Sequence, residues 1–364
     1  MERINTYEKW LEKEGLPVIR DYGVFDLLGV PLQPWPRKGG RGVYLNLGGA
    51  EGQIDAYLCE IPPGKALLPQ RHLYEELIYV LRGYGATSVW VEGSPKQSFE
   101  WQEGSLFSIP LNAWHQHFNG QSDKPVRYIG LTRAPVIMNL FHDLDFVFHN
   151  DYIFKTRFGG EADYFSSKGR ELNFDGNLIP KIWESNFIPD CRSFQLADDP
   201  KRGGIARNVR FELTNGLMSA HIAEFLGGTY VKAHHHGPGA HLICLHGQGY
   251  TLLWPYASGI MAEGAERIKI DWQENSVVSI PGDTFHQHFS IGKETTRLLA
   301  FHAELSEKFK GIRKDYEGQG RQSIKKGGTV IEHEDEDPAV RRLFRGELAK
   351  TGAPWLMSKY FPGE

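Results

Sequence analysis

Residues 64–76 read Gly64-Lys-Ala-Leu-Leu-Pro-Gln-Arg-His72-Leu-Tyr-Glu-Glu76, and residues 228–240 read Gly228-Thr-Tyr-Val-Lys-Ala-His-His-His236-Gly-Pro-Gly-Ala240. A second pair of stretches follows, Ile-Pro110-Leu-Asn-Ala-Trp-His115 in the first copy and Ile-Pro281-Gly-Asp-Thr-Phe-His286 in the second. A chain that repeats one pattern of strands and turns builds the same structural unit twice. These stretches therefore decide the fold, and the two copies differ in which polar side chains they keep.

The two copies share one register. Gly64 and Gly228 are 164 positions apart, whereas Pro110 and Pro281, beyond the next turn, are 171 positions apart. The second copy therefore has seven extra residues, and they are confined to that turn. Loops tolerate insertions better than strands do, so the segments on either side form a shared framework.

The segments within each copy are short and rich in Val, Ile, Leu, Tyr and Trp, as residues 77–81 and 242–245 illustrate, and Gly, Pro, Asn and Asp separate them. This pattern is typical of antiparallel sheets rather than of alternating strands and helices. We expect an all-β protein of two tandem jelly-roll barrels with short flanking helices. Such a small barrel leaves room inside for one ion and one small ligand.

The second copy carries a candidate metal site. Side chains at positions i and i+2 of a strand point to the same face, so His234 and His236 can bind one ion, with His286 arriving from a distant strand. Three neutral imidazoles leave coordination positions open for a substrate. Function is therefore expected first at this site.

The first copy carries a different ligand set. His72, Glu76 and His115 offer two imidazoles and one carboxylate, a set that suits Fe(II) or Mn(II). Gln70 stands at the position of His234 in the second copy. Because an amide is a poor metal ligand, metal binding should be weaker here. A second metal centre and a structural relic both remain open for this copy.

Two more histidines of the second copy are candidate catalytic residues. His288 lies two residues beyond His286, and His117 repeats this spacing in the first copy. Both are expected to point into a barrel and to hydrogen-bond a ligand. His241 follows Ala240; regular alternation would aim it away from the ion, whereas a bulge at residues 237–239 would turn it inward as a fourth ligand or base. A surface position is the alternative.

These stretches resemble the two motifs of the cupin superfamily, Gly-x5-His-x-His-x3,4-Glu-x6-Gly and Gly-x5-Pro-x-Gly-x2-His-x3-Asn. The resemblance covers residues 50–135 and 215–305, which makes the chain look like a bicupin. Ala240 departs from the pattern, where Glu is usual. Glycines of the second motif are also replaced, by Asn112 in the first copy and by Asn275 and Asp283 in the second.

The loss of the carboxylate at Ala240 is similar to the gentisate and salicylate 1,2-dioxygenase group of bicupins. In that group a three-histidine iron site chelates the substrate and cleaves a ring with molecular oxygen. The N-terminal barrel typically holds the iron there, whereas the complete histidine set of this chain is C-terminal. The substrate therefore does not transfer directly from the resemblance.

Composition excludes several classes of partner. The net charge is −4 and basic residues are scattered among acidic ones, so nucleic acid is not an expected ligand. No apolar run approaches the ~18 residues of a membrane span. With three scattered cysteines and no leader-like segment, we expect a cytoplasmic protein. Aromatic-rich segments outside the barrels predict a homo-oligomer.

The chain divides into five expected regions. They are an N-terminal helix and arm (1–40), the first barrel (41–135), an aromatic-rich connecting segment (136–214), the second barrel (215–305) and a C-terminal helical extension (306–364). Residues 6–15 read as a short amphipathic helix, and Asp337 followed by proline reads as the N-cap of another.

The function expected from these observations is a metal-dependent dioxygenase that acts on a small oxygenated or aromatic acid in the C-terminal barrel. Its metal would be Fe(II), with Mn, Ni or Zn as alternatives, and dioxygen would be the second substrate. A redox-neutral isomerase, lyase or decarboxylase and a non-catalytic ligand-binding bicupin are the other hypotheses. The fold cannot separate them, because one fold hosts many chemistries.

Overall fold

A computed structural model describes residues 5–50, 52–174, 179–213, 216–237, 239–255, 266–303 and 321–362. The expected boundaries near 214/215 and 305/306 lie at or next to residues outside these ranges. Within them the chain is mainly β-structure with few short helices. The strands form two sets of sheets, one for each copy of the repeat.

The first barrel has an eight-stranded sheet and a three-stranded sheet. Its strands are β1 (Val18–Ile19), β3 (Gln33–Trp35), β4 (Gly40–Leu45), β5 (Asp55–Ile61), β6 (Glu76–Arg82), β7 (Tyr84–Trp90), β8 (Gln97–Gln102), β9 (Leu106–Ile109), β10 (Trp114–Asn119), β11 (Val126–Thr132) and β14 (Phe187–Ile188). The larger sheet has the order β1-β4-β5-β11-β6-β9-β14, with β3 beside β4, and the smaller has the order β10-β7-β8.

The second barrel repeats this plan with a nine-stranded and a three-stranded sheet. Its strands are β2 (Gly23–Val24), β12 (Arg170–Leu172), β13 (Ile182–Glu184), β15 (Ala197–Asp198), β16 (Arg207–Glu212), β17 (Ser219–Phe225), β18 (Ala240–His246), β19 (Gln248–Pro255), β20 (Ile268–Gln273), β21 (Val277–Ile280), β22 (Thr284–Ser290) and β23 (Thr296–His302). The larger sheet runs β12-β13-β16-β17-β23-β18-β21-β2, with β15 beside β16, and the smaller runs β20-β19-β22.

In the part of the chain that the structure describes, the barrels are flanked by the α-helices α1 (Thr6–Glu14), α2 (Ala134–Phe141), α3 (Leu144–His149) and α4 (Pro338–Thr351). Short 3₁₀ helices cover Pro200–Arg202, Ile324–Lys326 and His333–Asp335. The two predicted helices are confirmed. Gly15 ends α1 in the left-handed conformation, and the Asp337 side chain caps α4 by accepting a hydrogen bond from the Ala339 backbone N–H.

Three positions confirm the alignment of the repeat with the turn-forming glycines of the motif. Asn112, Asn275 and Asp283 have φ values of 57°, 64° and 52°. L-residues rarely adopt this left-handed region, and Asn and Asp tolerate it better than most. The turns that enter the second motif are therefore retained although the glycines are not.

Successive side chains of each large sheet point to opposite faces, and the two faces pack into different cores. One face of each sheet packs against the other barrel in a single continuous core that includes Leu131 and Leu299. The opposite face lines the interior of each barrel, with Ile78 in the first and Ala300 in the second. A residue's position in this alternation therefore decides whether it faces the pocket or the layer between the barrels.

Segments outside the two barrel repeats contribute strands to the large sheets of both barrels. Strand β2 of the N-terminal arm pairs with β21 of the second barrel, and β14 of the connecting segment pairs with β9 of the first. Arg127 ties the arm down through the carbonyls of residues 27, 28 and 30, while it also bonds Glu60. Arm and connector are thus integral parts of the large sheets. Among the described residues, no helix is long and apolar enough to cross a bilayer.

Candidate metal centres

Three imidazoles meet in the second barrel. His234 forms a β-bridge with His286 of β22, and His236 follows two residues later. The ring centroids are 4.2 Å apart for His234 and His286, 4.8 Å for His236 and His286, and 5.9 Å for His234 and His236. One ring nitrogen of each lies within 4.8 Å of the others. The structure thus brings together the three residues that the sequence selected.

Backbone carbonyls orient two of these rings. Nδ1 of His234 lies 3.0 Å from the Lys232 carbonyl oxygen, and Nδ1 of His286 lies 3.0 Å from that of Thr284. A carbonyl oxygen only accepts, so each Nδ1 carries the hydrogen and each Nε2 keeps its lone pair. Burial is the main cause that holds the pKa of both imidazoles well below the usual range. Both rings are therefore neutral at pH 7, as metal ligands must be.

A guanidinium lies beside this cluster. Nη1 of Arg202 is 2.5 Å from Nε2 of His234 and donates to its lone pair. The positive charge also contributes, after burial, to the lowered pKa of His288. Guanidinium groups are well suited to bind carboxylates, often through two parallel hydrogen bonds. Arg202 thus brings an anion-binding group to the histidine cluster.

His288 is held in one tautomer by a chain of hydrogen bonds. Trp272 Nε1 donates to Thr251 Oγ1 at 3.1 Å, and Thr251 Oγ1 lies 2.9 Å from Nδ1 of His288. The indole N–H occupies one lone pair of the threonine oxygen, and we assign the hydroxyl hydrogen to the hydrogen bond with Nδ1. The neutral ring then carries its proton on Nε2. Burial lowers the pKa of His288 to about 3, so this Nε2–H is a neutral donor in the barrel interior.

The first barrel contains the same chain of three residues. Trp101 Nε1 donates to Thr87 Oγ1 at 2.8 Å, and that oxygen lies 2.7 Å from Nδ1 of His117. Each residue of this chain corresponds to its counterpart in the second barrel through the repeat register. The interior position predicted for His117 and His288 is therefore seen in both barrels.

The predicted inward position of His241 is corrected by the structure. Strand β18 pairs with β21 and β23 in unbroken register from Ala240 to Ile243, so no bulge turns His241 towards the cluster. Ala240 lines the second barrel, so its neighbour His241 faces the layer between the barrels with Ile243. Pro238, within the predicted bulge, lies outside the described residues. His241 is fully buried there, which also excludes the surface alternative.

The first barrel gathers His72, Glu76 and His115. Oε2 of Glu76 lies 3.6 Å from Nε2 of His72 and 3.7 Å from Nε2 of His115. Nδ1 of His72 is 2.9 Å from the Tyr74 carbonyl oxygen, which leaves Nε2 as the ligating nitrogen. All three side chains are buried.

Two groups hold the other oxygen of the Glu76 carboxylate. The Tyr57 hydroxyl donates to Oε1 at 2.5 Å, and Nζ of Lys38 lies 3.9 Å away. Burial alone would raise the pKa of Glu76, but the Lys38 ammonium, His72 and His115 together outweigh burial and hold the pKa well below its usual range. The carboxylate therefore stays ionised and ready to bind a cation.

Gln70 does not face the first metal site. Its Oε1 accepts from Nη1 of Arg37 at 2.5 Å, and its Nε2 donates to the carbonyls of Arg37 and Pro69 at 3.1 Å. Both ends of the amide are thus engaged elsewhere. The first site is enclosed, whereas His236 of the second site is partly exposed, so the second site is more accessible to a substrate.

The donor atoms fit a divalent transition metal. Nε2 of His72, Oε2 of Glu76 and Nε2 of His115 are buried and have no hydrogen-bond partner among the described residues. Leaving such atoms unsatisfied costs about 1–3 kcal/mol each. Their 3.6 and 3.7 Å separations are too long for hydrogen bonds but suit ligands that share one ion. The second barrel offers three imidazole nitrogens and no carboxylate within its set.

Lys38 and Arg202 were not predicted as site residues, although the sequence carries a signal for both. The two positions are 164 apart, and each is followed by Gly-Gly. The repeat register therefore extends upstream of the first motif. A cation from this upstream segment reaches the metal-ligand set in both barrels.

Comparison with known proteins supports the cupin assignment. Residues 57–132 match the model of the cupin domain family. A variant of Bacillus subtilis oxalate decarboxylase superposes with a TM-score of 0.52 at 12% identity, covering 79% of this chain and 78% of that one. Lactobacillus farciminis oxalate decarboxylase, in a formate complex, gives 0.52 at 12% identity, with 79% and 87% covered. A B. subtilis structure described by its Mn(II) centres gives 0.50 at 13%, with 79% and 78% covered.

These matches define the class of fold. The protein has two tandem jelly-roll barrels of the cupin type, as in the bicupin oxalate decarboxylases. Residues 57–132, which include β6 and the first metal-ligand set, lie in the segment that matches the cupin model.

Proposed function

We propose that the second barrel is a metal-dependent active site for a small carboxylic acid. His234, His236 and His286 hold the ion, and Arg202 binds a carboxylate of the substrate. The observation that carries this proposal is the guanidinium of Arg202, 2.5 Å from a ring of the three-histidine set. A cation beside an all-imidazole site is suited to an anionic substrate.

The charge balance distinguishes the two barrels. In the first, the Glu76 carboxylate offsets the Lys38 ammonium, so a divalent ion alone sets the net charge of the site. In the second, the described metal set contains no carboxylate, and Arg202 adds its charge to that of the ion. With an ion bound, the second site carries one more positive charge than the first, which favours an anionic substrate in that barrel.

The residues of the second barrel have separate roles. When an ion binds, the hydrogen bond between Arg202 and Nε2 of His234 would break, so that Nε2 could ligate the ion. The guanidinium of Arg202 would then bind the substrate carboxylate. The Nε2–H of His288 donates a hydrogen bond to a substrate oxygen, because the Thr251 hydroxyl fixes its tautomer. When bound, the ion acts as a Lewis acid that polarises a substrate oxygen. Enclosure by the barrel limits access of bulk water.

The first candidate reaction is redox-neutral decarboxylation. A carbon–carbon bond breaks, carbon dioxide leaves, and a proton is added to the remaining carbon. The likeness to oxalate decarboxylases supports this choice at the level of fold. Arg202 beside the three-histidine metal set suits a small diacid or oxoacid. Mn(II) is then a suitable metal, since a solved neighbour is described by its Mn(II) centres.

The second candidate is the iron-dependent dioxygenase predicted from the sequence. The observation in its favour is Ala240, which leaves the second barrel without the usual carboxylate and with three imidazoles. An Fe(II) site of this kind keeps positions for both substrate and dioxygen. The decarboxylase and dioxygenase candidates use the same residues and differ in their net consumption of oxygen.

The test combines both measurements on one sample. The protein is stripped of metal, reloaded with Mn(II) or Fe(II), and supplied with oxalate, a 2-oxoacid or gentisate. Carbon dioxide release without net oxygen uptake supports the decarboxylase, and stoichiometric oxygen uptake supports the dioxygenase. Saturable binding of these acids without turnover would favour the ligand-binding hypothesis and contradict both.

The acid-binding role of Arg202 can be tested against a matched control at the adjacent residue Lys201. Arg202→Gln should raise KM for the acid by at least about tenfold, since it removes a charge-assisted contact worth about 1.5–3 kcal/mol. Lys201→Gln removes the same charge from the adjacent exposed residue and should leave KM unchanged. Equal KM values for the two variants would contradict the assignment of Arg202.

A further inference from the structure

Besides the three-histidine set and His288, the second barrel is lined by two more histidines, His221 and His302. His302 ends β23, on the same face as Ala300, and His221 lies on the neighbouring strand β17. Nε2 of His302 lies 2.8 Å from Nδ1 of His221. The two rings stack at 10°, with centroids 4.8 Å apart. They form a coupled pair in the pocket.

His302 lies next to the predicted metal ligands. It is directly opposite Ala240 in the pairing of β18 with β23, and its ring centroid is 5.2 Å from that of His236. The three predicted ligands themselves have centroid separations between 4.2 and 5.9 Å. The ring spacing of His302 from His236 falls within that range, whereas the 4.8 Å grouping of donor atoms holds only the three predicted ligands, so ligation by His302 requires its ring to turn towards them.

The first barrel shows what occupies the same two positions there. Glu76 of β6 is opposite Thr132 of β11, just as Ala240 is opposite His302. In the first barrel the ligand is on β6 and a small hydroxyl residue is opposite. In the second barrel, Ala240 of β18 cannot ligate a metal, and the opposite strand carries the imidazole of His302.

The supporting residue corresponds as well. Tyr57 and His221 are 164 positions apart and occupy matching positions on β5 and β17. The Tyr57 hydroxyl donates to the ligand Glu76, and His221 bonds His302. In both barrels this position thus carries a ring that orients the group nearest the fourth ligand position. Such partners of metal ligands fix both ring orientation and tautomer.

We propose that His302 is the fourth protein ligand of the second metal centre, in place of the carboxylate that Ala240 lacks, and that His221 orients it. The inference rests on the proposed function only in placing an ion in the second barrel. In the ligating tautomer, Nε2–H of His302 donates to Nδ1 of His221, and Nδ1 of His302 turns its lone pair to the ion.

A four-imidazole site has a distinct metal preference. Imidazole suits Co, Ni, Cu and Zn, whereas a carboxylate improves binding of Mn. The second barrel should therefore prefer Co(II) or Zn(II) over Mn(II) more strongly than the first barrel does. This difference follows from the exchange of Glu for His and needs no knowledge of the substrate.

The experiment measures Co(II) binding by competition with a chromophoric chelator and by the visible absorption of bound Co(II). The His115→Ala background silences the first site, so one barrel is observed. Adding His302→Ala should weaken Co(II) binding at least about tenfold and change the absorption spectrum. His302→Thr, which copies Thr132, is measured beside it in case the alanine variant does not fold. His241→Leu, on the other face of β18, is the control and should bind as the background does.

A rescue variant separates ligation from general packing. Ala240→Glu combined with His302→Ala moves the fourth ligand back to the arrangement of the first barrel and should recover most of the lost affinity. Unchanged affinity and spectrum in both His302 variants would overturn the inference while leaving the three-histidine site in place. Absence of Co(II) from the background protein would instead overturn the proposed function, and this inference with it.

Discussion

Buried histidines in this protein differ in whether their ring nitrogens have hydrogen-bond partners. Several in the barrels have a carbonyl or a hydroxyl within hydrogen-bond distance of Nδ1, as His234 and His288 illustrate. His241 is fully buried in the layer between the barrels, and neither of its nitrogens has a hydrogen-bond partner among the described residues. Such a group costs stability and serves no site in this arrangement.

His241→Leu should therefore stabilise the protein, by on the order of 1–3 kcal/mol, because an apolar side chain replaces an unsatisfied polar one. Burial lowers the pKa of His241 to about 4, against ~6.5 when unfolded. Between these values the unfolded chain binds the extra proton, so wild-type stability falls as pH falls from 6.5 towards 4. The gain should be larger at pH 5 than at pH 8.

Urea unfolding at both pH values measures this effect. Loss of metal or of turnover in His241→Leu would contradict the corrected position and restore His241 to the site. His288→Leu is not a suitable control, since His288 is placed to contact the substrate.

The two barrels should respond differently to loss of one imidazole. His286→Ala should lower turnover by several orders of magnitude, because a catalytic ion that is no longer held ends the reaction. His115→Ala should cost far less turnover, since the first site is enclosed and its Gln70 amide is bound to Arg37. Metal content per barrel is measured for both variants. An inactive His115→Ala beside a native-like His286→Ala would reverse the assignment.

At the scale of elements, α4 covers one side of the second barrel. Phe344 of α4 packs against Tyr230 and Phe289, with ring centroids 5.0 and 5.6 Å apart. The N-terminus of the helix is fixed by Asp337, which caps the Ala339 N–H and bonds both terminal nitrogens of Arg267. One buried carboxylate thus fixes the start of the helix, in addition to the apolar contacts along it.

Asp337→Ala should destabilise the protein by about 1–2 kcal/mol from the lost N-cap, with a further cost from the unpaired Arg267. Chemical denaturation followed by tryptophan fluorescence measures the change. Glu334→Ala, at a nearby exposed acidic residue, is the matched control and should alter stability by less than about 0.5 kcal/mol. Equal effects of the two substitutions would show that the cap contributes little.

At the scale of the whole molecule, exposed apolar side chains cluster in the segment after the first barrel. Leu140, Phe141, Phe146 and Tyr152 are 65%, 44%, 42% and 63% exposed. They lie on or next to α2 and α3. Most exposed apolar residues are scattered, so a local concentration of this kind favours an interface.

We predict self-association through this surface. Sedimentation at micromolar concentration should show a species larger than the 41.3 kDa chain. Phe141→Asp with Phe146→Asp should shift the population towards monomer, whereas Phe25→Asp, at an exposed phenylalanine of the N-terminal arm, should not. A wild-type protein that sediments only as a monomer would remove the prediction.

The sequence alone determined the features that are local or periodic. Repeated strand and turn signals gave the two barrels, and the i, i+2 spacing of His234 and His236 placed both rings on one face. Asn112 and Asp283 were aligned with a glycine position of the motif, and both have positive φ in the structure. Each of these depends on side-chain alternation or backbone preference within a few residues, which can be read along the chain.

The tertiary structure decided which distant residues meet at the site. Arg202 reaches His234 from an upstream segment, and His302 faces Ala240 because β23 pairs with β18 in one particular register. The same pairing is unbroken at His241 and keeps that ring out of the pocket. Register between distant strands is set by packing on both faces of each large sheet. A shift by one residue would move every side chain of the strand to the opposite face.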